Sequence, residues 1–147
     1  MPVVGLVVKS INARKMEEFV GAAQVSNNAN IKSVEEQTLV AIGRPSLKIS
    51  FEYKSDYQTD KKKSFAEIVI SGDVFFADGP NEKVIDGWKK EKKLPEIVNL
   101  NVINMILHKC MIESLGLSEK LQLPPPVALP FAQPNTPKVD TPSRYIG

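Results

Sequence analysis

The sequence predicts an α+β domain: a four-stranded antiparallel sheet, a short helix and a long C-terminal helix on one face, then an extended Pro-rich tail. Three observations carry this. Four β-rich stretches come first and two helical stretches follow, which is not the alternating order of βαβ units. One stretch, Leu47 to Tyr57, alternates apolar and polar residues with period two, as expected of a strand dry on one face and wet on the other. Finally, residues 95–115 (PEIVNLNVINMILHKCMIESL) read as one continuous helix, started by Pro95 and stopped by Gly116.

Each element has its own justification. Val3 to Ile11 is rich in β-branched residues and reads as a buried strand, with Gly5 a candidate bulge. Residues 12–30 are ambiguous: RKMEEFVGAAQ suits a short helix or an irregular excursion, and SNNAN reads as loop. Ile31 to Ile42 carries a weaker strand pattern, closed by a Gly43-Arg44-Pro45-Ser46 turn. In the next strand Leu47, Ile49, Phe51, Tyr53 and Tyr57 point one way, and Lys48, Ser50, Glu52, Lys54 and Asp56 the other. TDKKK, Thr59 to Lys63, is a charged hairpin loop. Phe65 to Ala77 forms the fourth strand, with Ala66, Ile68, Ile70, Val74 and Phe76 on one face and Gly72 in its middle. Residues 78–81 end it. A short helix over Glu82 to Lys92 is anchored by Val84, Ile85 and Trp88.

The long helix, about 30 Å at 1.5 Å per residue, is apolar on two sides. Leu100, Ile103, Ile106, Leu107, Cys110 and Met111 fall on one, and Val98, Val102, Met105 and Ile112 on the other. Only Asn101, Asn104 and His108 make a polar stripe. A surface helix usually has a single apolar face. The second side therefore needs a second subunit, or a second layer such as a loop of the same chain; on the first reading Val98, Val102, Met105 and Ile112 are the candidate oligomer interface. The Asn, His, Lys and Glu residues inside the stretch argue against a membrane span.

At 147 residues the chain suits one domain, and 42% hydrophobic with 24% charged residues is an ordinary globular balance. The net charge of +2 is too small to imply nucleic acid by itself. The single cysteine, Cys110, excludes an intramolecular disulfide. No basic leader precedes VVGLVV, so a cytoplasmic location is expected. The segment LQLPPPVALPFAQPNTPKVDTPSRYIG holds most of the chain's prolines and reads as extended, partly polyproline II. Its first half is apolar and gains most by lying in a groove. After Gln133 it is polar and expected to be mobile.

No catalytic constellation is visible. His108 and Cys110 lie two positions apart in a helix and do not face each other. A phosphate-binding glycine loop and zinc-ligand spacing are both missing. A non-enzyme without metal or cofactor is expected, although convergent polar groups around His108, Asn101 and Asn104 would reopen the question. Lys61, Lys62 and Lys63, with Lys89, Lys90, Lys92 and Lys93, suit a solvated surface or contact with RNA phosphates or an acidic partner.

The run AEIVISGDVFF, a short helix, Pro95, a long helix and a Leu/Pro-rich segment together resemble the SecB-like chaperone family. Glu67, Gly72 and Phe75 stand in the family's last-strand pattern of Glu, Gly and an aromatic, the aromatic one place late. Pro95 matches the proline that opens its long helix, LQLPPPVALPF its proline-punctuated segment, and VVKSINARKMEEF its opening strand and loop. The aromatic-Pro-Tyr-Ala-Arg run and the acidic character of bacterial members are missing, which points to a divergent relative, such as an archaeal one, rather than an export chaperone coupled to a translocase. The resemblance implies a domain over residues 1–131, with 132–147 a polar, Pro-rich tail. It also implies a dimer or tetramer that holds non-native polypeptides in apolar grooves without ATP. Phe75, Phe76, Trp88, Leu121, Leu123, Val127, Leu129 and Phe131 are the candidate client contacts. The alternative is a non-catalytic assembly protein that docks on a ribosome or RNA through the tail and the lysine clusters.

Overall fold

Alternation with period two sends every second side chain of a strand to the same face, and a one-sided sheet forms when those residues are apolar. The computed structural model describes residues 3–18, 21–39, 44–76 and 81–127. It contains β1 (Val3–Lys15), β2 (Gln24–Leu39), β3 (Arg44–Gln58), β4 (Ser64–Phe76), α1 (Asn81–Glu91) and α2 (Glu96–Lys120). The strands form one antiparallel sheet in the order β1-β4-β3-β2. The two central strands carry the core. Leu47, Ile49, Phe51, Tyr53 and Tyr57 of β3 and Ala66, Ile68, Ile70, Val74 and Phe76 of β4 are buried together. The register lays Tyr57 beside Ala66, Tyr53 beside Ile70 and Leu47 beside Phe76.

α2 lies on this apolar face. Its buried residues are Val102, Ile106, Cys110, Ser114 and Ser118, one every fourth position. Such a stripe follows a single line along a helix. Towards the C-terminus its members are small, so the helix comes close over the tyrosines of β3. Burial of Cys110 pushes its thiol up to about 11.

The structure corrects several expectations. SNNAN is strand, not loop: Ser26 to Asn30 pair with Glu52 to Asp56 of β3. Asn27 is held there by its side chain, whose Nδ2 donates to the Pro126 carbonyl at 2.8 Å. Its Oδ1 accepts from Ser55 Oγ at 2.7 Å. Tertiary bonds therefore outweigh the weak strand preference of asparagine. Arg44 to Ser46 belong to β3 rather than to a turn, and Gly43 lies outside the described residues. Pro45 is tolerated because β4 ends opposite Leu47, leaving that part of β3 paired only to β2. Gly116 does not stop α2, which runs on to Lys120. The last turn is pinned by buried Ser118 and Leu123, so tertiary contact outweighs the cost of one exposed glycine.

The bulge reading of Gly5 holds, since the β1–β4 register shifts between Val3 and Gly5. A second shift, between Val8 and Ser10, depends on Gly72. A Cβ at Gly72 would lie 2.1 Å from the carbonyl oxygen of Val7. Thr59–Lys63 closes the β3–β4 hairpin, with Lys62 in the left-handed region at φ 62°.

The face of the sheet opposite α2 is polar and internally neutralised. Asp73 is buried there, 2.9 Å from Lys9 Nζ, and accepts from Ser50 Oγ at 2.7 Å. Glu67 accepts from Arg14 Nε at 2.7 Å and lies 3.5 Å from Lys54 Nζ. Among the described residues no helix is long and apolar enough to cross a membrane.

Candidate binding cleft

Where α1 turns into α2, the chain stands off from β2 and leaves an open cleft of about 410 Å³. β2 supplies Ala29 and Ile31, and α2 supplies Ile103. Leu94, in the connection between the helices, and Trp88 of α1 complete the apolar lining. The rest is polar: Asn30, Lys92, Lys93, Glu96 and Asn99. β2 is an edge strand, hydrogen-bonded in the sheet to β3 alone, so one side of its main chain borders the cleft without a neighbouring strand. The cleft's walls are apolar and polar in equal measure, an apolar strip from β2, Trp88, Leu94 and Ile103 facing a charged and amide rim, which suits a guest carrying both kinds of group.

Local sequence explains the geometry. Helix α1 is anchored by Val84, which is buried, and by half-buried Ile85 and Trp88. Its C-terminus closes with a 2.8 Å bond from the Lys92 amide to the Trp88 carbonyl. Lys92 itself adopts φ 56°, the left-handed conformation that glycine usually supplies after a helix. Its ammonium sits 5.6 Å from the centre of the Trp88 ring, within cation–π range.

Of the candidate client contacts among the described residues, only Trp88 lines this cleft. Phe76 and Leu123 are buried in the chain's own core, which explains their apolarity without any guest. Phe75 is half-buried on the opposite sheet face, flanked in register by Gly5 and Lys48. Leu121 and Val127 are half-buried at the far end of α2, and Leu129 and Phe131 lie outside the described residues. The start of the Pro-rich segment does occupy a groove, but one in its own chain: the Pro124 carbonyl accepts from Tyr57 and that of Pro126 from Asn27.

The second side of α2 divides likewise. Val102 is fully buried against the chain's own sheet and is unavailable to a second copy. Val98 and Met105 are half-buried, and Ile112 is 56% exposed. Ile97 and Leu100, at 74% and 53%, are also exposed on α2. His108 and Asn104 are exposed, Asn101 is half-buried, and none of the three lines the cleft.

Sequence reasoning missed Ala29, Ile31, Leu94 and Ile103. The period-two run Val25, Asn27, Ala29, Ile31 could have revealed the first two, had the asparagines not suggested a loop. Nothing in the sequence signals that the two helices are joined at a distance from β2.

No family model matches this chain, and no curated protein matches it. Among solved structures, it is similar in fold to the SecB-like chaperone Rv1957 of Mycobacterium tuberculosis, solved in complex with a ChAD peptide from the Rv1956 HigA1 antitoxin. The similarity covers 90% of this chain and 91% of that one, with a TM-score of 0.59 and 9% sequence identity. The chain therefore has a SecB-like fold, shared with a chaperone that was solved with a peptide from another protein.

Proposed function

We propose that this protein is a non-catalytic, ATP-independent holdase that binds non-native polypeptide segments in the cleft between β2 and the helix junction. The observation that carries the reading is the half-buried Trp88 beside the free edge of β2, in a SecB-like fold. An extended guest chain could bond to the β2 main chain while its side chains enter the cleft. Main-chain pairing is indifferent to sequence, which suits a protein with many clients. The exposed Ile97, Leu100 and Ile112 support self-association over the outer side of α2, and a cytoplasmic setting follows the sequence expectation.

The test is suppression of light scattering by an aggregating client. The wild-type protein suppresses it at stoichiometric ratio, and Trp88→Ala together with Ile31→Asp weakens suppression severalfold. Failure of the wild-type protein to suppress would sink the reading. Docking on a ribosome or RNA through the tail and the lysine clusters has less support. Pro124 and Pro126 are already bonded within the chain, and Lys63 is paired with Glu17 at 2.9 Å. Salt-sensitive co-migration with ribosomal particles would favour that alternative.

A further inference from the structure

The polar lining of the cleft is unevenly charged, and one residue in it is held in a strained backbone conformation. Both features bear on which guests it takes. Lys92 and Lys93 line the cleft against a single acid, Glu96. Just behind stand Lys89 and Lys90 in the last turn of α1, with Glu91 between the two lysine pairs. Elsewhere Lys9, Arg14, Lys15, Lys32, Lys54, Lys63 and Lys109 each have a carboxylate within 4 Å. Among the described residues, Lys92 and Lys93 have none; Lys61, Lys62, Lys89 and Lys90 share that state, but only Lys92 and Lys93 line the cleft.

The left-handed φ of Lys92 is the second feature. A side chain in that conformation is strained relative to glycine, the usual occupant after a helix. Strain of this kind is retained where the surrounding structure has a use for it. Here it accompanies an ammonium poised over the only tryptophan of the chain, at the mouth of the apolar lining.

We propose that the Trp88–Lys92 pair, with Lys93, selects guest segments in which an apolar or aromatic residue is flanked by acidic ones. The apolar side chain enters between Trp88, Ile31 and Ile103, and the neighbouring carboxylate meets the two unpaired ammonium groups. This rests on the binding reading given above and adds a charge preference to it. Complementary charge sets register and partner choice more than bulk affinity.

The single tryptophan supplies the readout, since quenching or a shift of Trp88 emission reports occupancy of the cleft by a Phe-containing, Trp-free peptide. Two peptides of identical apolar centre, one flanked by Glu and one by Lys, are titrated into the full-length protein. The Glu-flanked peptide binds about tenfold tighter at low salt, a difference that shrinks to under about twofold near 1 M salt. Lys92→Gly suits the local backbone, so it keeps the helix end intact while removing most of the preference. Lys92→Glu reverses it. Equal affinities for the two peptides, or a preference unchanged in Lys92→Gly, would overturn the charge selection and leave the binding reading standing. Binding of neither peptide, together with no suppression of client aggregation, would overturn both.

Discussion

The hydroxyl of Tyr57 donates a 2.6 Å hydrogen bond to the carbonyl of Pro124, joining the centre of the sheet to the segment that follows the last helix. Neither group could satisfy the other without the chain folding back. Tyr57 is fully buried, packs edge-on against Phe65 at 6.2 Å, and lies in the same end of the core as Ser118. Alongside it, the hydroxyls of Tyr53 and Ser55 sit 2.9 Å apart, and both lie within 3.3 Å of Asn27 Oδ1. Asn27 then donates to Pro126. Two side-chain donors from adjacent strands thus hold two carbonyls of a proline run that cannot use its own missing amides.

Removing that hydroxyl should be measurable. Tyr57→Phe leaves the ring packing but strips Pro124 of its donor, at a cost of about 1–2 kcal/mol in urea unfolding. Burial pushes the phenol up to about 12, above its ordinary value of 10.0. A raised folded-state value means that this group's stabilisation is complete below about pH 10 and is lost as pH rises towards 12. Tyr57→Phe should therefore flatten the alkaline decline relative to wild type. An unchanged decline would remove Tyr57 as its source.

Gly72 sets how closely β1 approaches β4. Since a Cβ there would meet backbone rather than a yielding side-chain end, Gly72→Ala forces the bulge at Val8–Ser10 to shift. A loss of about 3 kcal/mol is expected, the upper part of the range for overpacking. Gly5→Ala meets nothing within 4 Å and serves as the control. Similar urea midpoints for the two variants would contradict this account.

On the polar face, burial alone would raise the Asp73 carboxyl, but bonds from Lys9 and Ser50 and the Lys9 charge outweigh it and hold the group below its ordinary range. Glu67 is likewise held low, chiefly by its hydrogen bond from Arg14. Lowered carboxylates stabilise the fold above their unfolded values, and that contribution is lost as pH falls through the folded ones. Stability should fall on acidification below the ordinary carboxylate range. Asp73→Asn should lower neutral-pH stability by about 1–2 kcal/mol and shrink the acid-side drop. Chemical denaturation between neutral pH and pH 3 checks both.

Ser114 is buried against the sheet, and its Oγ has no hydrogen-bond partner among the described residues. Replacing an unsatisfied hydroxyl by hydrogen removes a desolvation cost, so Ser114→Ala should stabilise by about 1 kcal/mol. Alanine also has the higher helix propensity. A lower midpoint for Ser114→Ala would show that the hydroxyl is engaged after all.

Much of the architecture was legible in the order of the residues. Period two from Leu47 to Tyr57 determined which face is dry, and the sequence of strand-rich then helix-rich stretches determined the class. Pro95 marked the entrance to the long helix. These are local signals, because strand pleat and helix turn translate spacing directly into sides. Tertiary structure decided what spacing cannot express. It turned SNNAN into an edge strand by giving Asn27 partners 28 and 99 residues away. It carried α2 past Gly116 by burying Ser118 and Leu123, and it put Phe76, Val102 and Leu123 into the core rather than on a surface. The cleft, too, is a tertiary product. Ala29 is far in the chain from Trp88, Leu94 and Ile103, and they line one space only because α1 packs beside β2 while α2 lies across the sheet.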